Sequence, residues 1–279
     1  MMDQRARPAA RGAWRWRLAI LGLALMTAGA ASGIRALEVR AARPIELTHP
    51  HALWRVVHDL CVPDRRLLSL SAPCMKVSLA QGWAVVKDVR NPTHLLLVPT
   101  RRIIGIESPF LTTPDAPNYW AFAWNARPLF ERLLGRPAPR EDIGLVVNSR
   151  FGRTQDQLHI HIDCIRPQVA QTLARAGSRI GSRWTPLGEP LLGRSMLARR
   201  LDGADFGDRN PFAILAREVP GVAAHMDLQT LVAVGATGPD GRPGFILLTG
   251  AAHPATGDAG VGEEILDHGC GILSAAHSR

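Results

Sequence analysis

The chain has 279 residues, is 46% hydrophobic and 20% charged, and carries a formal net charge of +9. It can bury a sizeable core, which excludes global disorder. Arg5, Arg7, Arg11, Arg15 and Arg17 against Asp3 put +4 of that charge in the first 17 residues, leaving +5 for the rest. So uneven a charge does not fit a nucleic-acid partner; it fits membrane topology.

Residues 18–34, LAILGLALMTAGAASGI, contain no charge. That length is near the short end of a bilayer span. A basic stretch before an apolar one is also the form of a secretory signal, with Ala28-Gly29-Ala30 as a cleavage site. The expectation is an uncleaved signal anchor over residues 1–35, a single N-terminal pass with the chain beyond Arg35 on the far side. Residues 36–50 read as a linker. The four cysteines, Cys61, Cys74, Cys164 and Cys270, suit an exported domain with disulfides. Of the three possible pairings the expectation is Cys61–Cys74 with Cys164–Cys270. No CxxC spacing supports a metal cluster.

In chain order, HALWRVVHDLCV (51–62) has helical spacing of apolar residues. GWAVVKD (82–88) and THLLLVPT (93–100) read as strands parted by Asn91-Pro92. Asn118 caps one helix, YWAFAWNARPLFERLLG, ended by Gly135 and Pro137. DIGLVVNSR (142–150), a short FGRT loop and QLHIHIDCIRP, closed by Pro167, are two further strands. A helix follows near Gln168–Ala176. Then come RSMLARRL as a strand or sheet edge, PFAILAREVPGVAAHM as a helix interrupted by Pro220, and a hairpin with Gly238-Pro239-Asp240-Gly241 at its turn. The fold class is α+β: an antiparallel sheet with packed helices, residues 51–176 forming a catalytic half and 177–279 a second, related half. No sequence repeat marks a duplication.

The segment QDQLHIHIDC (155–164) carries the chemistry. On a strand, Leu158, Ile160 and Ile162 share one face, and Gln157, His159, His161 and Asp163 the other. Three readings compete. The row is a polar sheet face; or His159 and His161 bind a metal with His94 or Asp163 as third ligand; or one imidazole attacks phosphorus. The preceding SRFGRTQ favours the third, offering Gly152 for close backbone approach, Arg150 and Arg153 as cations and the Thr154 hydroxyl.

PTHLLLVPTRR (92–102) and LVVNSRFGRTQDQLHIHI (145–162) resemble the histidine triad superfamily. More closely, KDVRNPTHLLLVPTRRIIGIESPFL, NSRFGRTQDQLHIHIDCIRP, SRWTPL, LARR and NPFAILAREVP resemble the bacterial CDP-diacylglycerol pyrophosphatases, over roughly residues 55 to 275. The resemblance implies hydrolysis of CDP-diacylglycerol to CMP and phosphatidate at the bacterial inner membrane, on its exported side. His159 takes the place of the nucleophile, His161 binds phosphate oxygens, and Thr154 assists the leaving group. Asn148 falls near the nucleotide-contacting asparagine, and Arg153, His161 and Lys87 stabilise the equatorial oxygens. The scheme needs water and no metal or other cofactor.

Two positions depart from the pattern. Gln157 stands at the first triad position, where the residue mostly organises the strand. Arg102 replaces a fourth histidine and is expected on a pyrophosphate oxygen. Other residues are assigned bland roles: His94 a structural histidine, Trp120 and Trp124 core packing, Arg199-Arg200 a solvated face near headgroups, and His225, His253 and His268 none. Nothing in the sequence sets the oligomeric state.

Overall fold

The computed structural model describes residues 49–275. The expected anchor at residues 18–34 and most of the linker lie outside the described residues. Among those described, no helix is long and apolar enough to cross a membrane.

Among the described residues, nine strands form one antiparallel sheet in the order β1-β2-β3-β5-β4-β8-β9-β7-β6. Six were legible as strands: β2 (Trp83–Lys87), β3 (Leu95–Pro99), β4 (Ile143–Val147), β5 (Ile160–Cys164) and the two hairpin strands β8 (Gln229–Thr237) and β9 (Pro243–Ala251). The two edge strands, β1 (Lys76–Ser78) and β6 (Thr185–Pro186), are too short to leave an alternating pattern. Contrary to one expectation, β7 (Leu197–Asp202) is interior, between β9 and β6. The pairing of β4 with β8 joins the two halves into the same sheet.

One face of the sheet carries Val85, Leu95, Leu97, Leu145, Ile160 and Ile162 against Trp120, Trp124 and Phe130. The helix predicted from Asn118 to Gly135 is two, α3 (Tyr119–Asn125) and α4 (Arg127–Leu134). Pro128 in the first turn of α4 has no N–H to continue the ladder, so the chain turns at Ala126. The Asn118 side chain does cap α3, accepting from the Ala121 N–H at 3.3 Å. Trp120 and Trp124 are core, stacked edge-on to Phe212 and Phe245. Arg199 is not on a solvated face: it is buried and ion-paired with Glu218 of the helix Pro211–Glu218. That pairing satisfies a charge that burial would otherwise penalise.

The opposite face is covered differently. A helical run made of α1 (Ala52–Arg55), a π-helical stretch (Val56–Cys61) and α2 (Val62–Leu68) packs Leu53, Val57 and Val62 on Ala84 and Val98, with Leu96 at the margin. Leu96 is the direct cross-strand partner of His161, so this helix and the histidines share a face. The C-terminal segment from His253 to His268 reaches over the same face, tied down by a bridge from Ile165 to Leu266 and by the bond from His268 to Asp163. Both expected disulfides are present, Cys61–Cys74 and Cys164–Cys270.

Candidate active site

The row Gln157, His159, His161, Asp163 is buried along its whole length. A wet sheet face is thereby excluded, because buried polar groups must find partners. His159 sits just before β5, and His161 lies opposite Leu96 of β3 and Val146 of β4. Asn148 and His94, at the ends of β4 and β3, flank it.

His159 Nδ1 lies 2.7 Å from the Gln157 carbonyl oxygen. A carbonyl only accepts, so Nδ1 carries the hydrogen and the Nε2 lone pair is free. Burial pushes the His159 pKa down, against the pull of that hydrogen bond, so the ring is neutral near pH 7. A neutral imidazole with a defined tautomer is the state a nucleophile requires.

The tautomer of His161 follows from a peptide bond. The Glu263 backbone N–H donates to Asn148 Oδ1 at 3.0 Å, which orients the Asn148 amide. Asn148 Nδ2 then donates to His161 Nε2 at 3.3 Å. His161 Nδ1–H must donate to His94 Nε2, 2.9 Å away, and His94 Nδ1–H to Asp88 Oδ2 at 3.1 Å. Every link in this chain has one consistent direction. Burial, and His159 beside it, hold His161 far below the ordinary histidine pKa. The His94 hydrogen bond keeps Asp88 strongly acidic, outweighing its partial burial.

His268 is the opposite case. Its Nδ1 is 2.8 Å from Asp163 Oδ2 and its Nε2 is 3.4 Å from Glu263 Oε1. With a carboxylate at each nitrogen both must bear hydrogen, so the ring is an imidazolium. Its pKa is pushed up to about 9, chiefly by the Asp163 hydrogen bond and then by that of Glu263. Burial raises Glu263, but the His268 hydrogen bond and the surrounding imidazoles outweigh it and hold it at about 2. Asp163 is fully enclosed and also accepts from Thr93 Oγ1 and the Cys164 N–H. His268 stacks on His94 at 4.4 Å between ring centroids. A cleft of about 460 Å³ opens beside Glu263 and His268, with Arg166 on its wall.

Gln157 resolves one departure from the triad pattern. Its Nε2 donates to the carbonyls of Pro99 and Arg101, at 3.1 and 3.0 Å, and its Oε1 accepts from the Ile103 N–H at 3.3 Å. It is a joint between β5 and the segment after β3.

The other expected residues scatter. Arg153 lies on the loop before His159 with its guanidinium bound to Glu107 and Asp156. Arg150 and Thr154 are exposed on that loop. Gly152 is needed because a Cβ there would stand 2.7 Å from the Gly260 carbonyl oxygen, where the C-terminal segment crosses the loop. Lys87 Nζ closes a turn, donating to the carbonyls of Asp88 and Asn91. Arg102 reaches His51 at 2.9 Å and lies over Trp54. Neither Lys87 nor Arg102 joins the histidine cluster.

Three residues that the sequence left unassigned do join it, Asp88, Glu263 and His268, together with His94, which it read as structural. One signal was available. Pairing Cys164 with Cys270 brings Asp163 and His268, their close neighbours in sequence, to the same place.

His94, His161 and Glu263 place ligand-type atoms within 4.8 Å of one another, as do His94, Asp163 and His268. The hydrogen-bond directions do not suit an ion. A metal on His161 Nδ1 would force the hydrogen to Nε2, against the Asn148 amide donor, and His94 and His268 hold their carboxylates with N–H groups. What the arrangement can do is present one neutral nucleophilic imidazole beside a fixed hydrogen-bond chain, as transfer at phosphorus requires.

A family model described as CDP-diacylglycerol pyrophosphatase matches residues 48–274. A CDP-diacylglycerol pyrophosphatase of Yersinia pestis is 37% identical over 259 residues, 93% of this chain and 96% of that relative.

Proposed function

This chain belongs to the CDP-diacylglycerol pyrophosphatase family, and we propose that it hydrolyses CDP-diacylglycerol to CMP and phosphatidate through a nucleotidyl-histidine intermediate. His159 Nε2 attacks the cytidine-side phosphorus. An N–P bond forms, the anhydride P–O bond breaks, and phosphatidate leaves with the bridging oxygen. Water then attacks the same phosphorus, the N–P bond breaks, and CMP is released as His159 returns to its neutral form. The Gln157 carbonyl holds the Nδ1–H throughout, so the ring cannot turn during the cycle. His161 and Asn148 flank the reacting phosphorus in the histidine triad manner. Lys87, Arg102 and Arg153 are committed to other partners and stand aside.

The observation that carries this reading is the 2.7 Å bond between His159 Nδ1 and the Gln157 carbonyl in a fully buried row. Two disulfides support placement of the described residues on the exported side of the bacterial inner membrane. Residues 18–34 are the proposed anchor. The test is release of CMP and phosphatidate from CDP-diacylglycerol in detergent micelles, with EDTA present and beside His159→Ala. Turnover that EDTA spares and the substitution abolishes supports the reading. Lipid binding without CMP release overturns it.

A further inference from the structure

The end of α2 is built to expose apolar side chains. Leu67, Leu68 and Leu70 are 81%, 64% and 59% exposed. Clusters of this kind mark interaction sites, whereas single exposed leucines mark nothing. Exposure here is not fraying, because the tip is clamped. Ser69 turns the chain at φ 59°, Arg65 Nη1 holds the Ser69 carbonyl at 2.5 Å, and Asp64 Oδ2 accepts the Ala72 N–H at 2.7 Å. The Cys61–Cys74 disulfide closes the base. Asp64 is spent inside the tip, while Arg65 and Arg66 face solvent beside the leucines.

We propose that this arginine–leucine tip, residues 65–70, is the surface by which the protein docks on an anionic lipid bilayer. Side chains so exposed protrude rather than line a groove, and two guanidinium groups beside them complement lipid phosphates. Apolar groups at the acyl boundary under a cationic rim is the arrangement of interfacial membrane binding.

The fold gives the docking a direction. The helical run from Ala52 to Leu68 spans about 25 Å at 1.5 Å per residue. Its first turn is bound to the catalytic loop, the Leu53 N–H donating to Gln155 Oε1 at 2.8 Å. Its length packs on the sheet face that bears His161. A bilayer that takes up the leucine tip therefore lies on the histidine side of the sheet, the side to which a lipid headgroup must come. The proposal rests on the lipid-substrate reading above for this last step.

The full-length protein tests it with two substrates: a monomeric short-chain CDP-dihexanoylglycerol, and long-chain CDP-diacylglycerol in phosphatidylcholine vesicles with or without phosphatidylglycerol. Replacing Leu67, Leu68 and Leu70 together by Ser is expected to lower the vesicle rate roughly tenfold and leave the monomer rate unchanged. Leu68→Trp is expected to raise the vesicle rate, and Arg66→Gln, which leaves the Arg65 clamp in place, to reduce only the gain from phosphatidylglycerol. An unchanged vesicle rate in the serine variant overturns the proposal, whether residues 18–34 or some other surface then does the docking. Equal losses on both substrates overturn it too, as a structural role would. Should the unmutated protein release no CMP from the monomer, the functional reading fails instead. Flotation of the same variants with phosphatidylglycerol vesicles then decides the docking separately.

Discussion

The two disulfides clamp two regions of the molecule, and they do different work. Cys61–Cys74 spans 13 residues and steadies a tip whose leucines face outward; Cys164–Cys270 spans 106 and draws the C-terminal segment onto the catalytic strand. By loop entropy alone these closures are worth about 3 and about 5 kcal/mol. The larger difference lies in what each brings together. The short bridge gathers residues already adjacent in sequence. The long one places His268 on Asp163, and with it Glu263 over His161 and His94, which no local pattern encodes.

The contrast can be broken hardest at the proposed nucleophile. His159→Ala should lower turnover by at least about a thousandfold and leave vesicle binding by the leucine tip intact, as steady-state kinetics beside flotation will show. Next is the long bridge. Replacing Cys164 and Cys270 by Ser should release the segment that carries His268, cutting turnover of the monomeric substrate severalfold or more. The midpoint of denaturant unfolding should fall with it by an amount corresponding to about 3–5 kcal/mol. The same change at Cys61 and Cys74 should cost less stability and spare that turnover.

A smaller effect is expected at the start of the hydrogen-bond chain. Asp88→Asn leaves His94 without a carboxylate and loosens the tautomer of His161. It should lower kcat by about 10- to 100-fold with little change in KM. pH separates the charged from the neutral end. His268 has a folded pKa of about 9, above its ordinary 6.5, so its ion pairs stabilise fully below pH 6.5 and are lost as pH rises through 9. The melting temperature should drop by about 3–6 °C over that window, and His268→Gln should flatten the slope. Least of all, Lys87→Ala and Arg102→Ala should change kcat by less than about threefold, because both side chains are spent on other partners.

The strands β2 to β5 and the β8–β9 hairpin were legible because alternating or continuous apolar runs end at Pro, Gly or Asn. The edges β1 and β6 were not, having only three and two residues. At the site, the HxH spacing put His159 and His161 on one strand face and the family resemblance singled out His159 as the proposed nucleophile, whose tautomer follows from a carbonyl two residues back. Charge placement was less legible. Arg153, Lys87 and Arg102 look available in sequence, yet each is committed to a neighbour that only the fold supplies. His268 and Glu263 looked idle because their partners lie about a hundred residues away.

The three backbone bonds of Gln157 bear on how such chains diverge. An amide side chain offers two hydrogens and an acceptor, matching the carbonyls of Pro99 and Arg101 and the N–H of Ile103. A neutral imidazole offers one hydrogen and one lone pair, so Gln157→His would leave one of the three without a partner. The exchange is therefore not a free step in either direction. It has to travel with a change in the path of residues 99–103, which makes position 157 a record of that neighbouring segment's path rather than a measure of whether the enzyme still works.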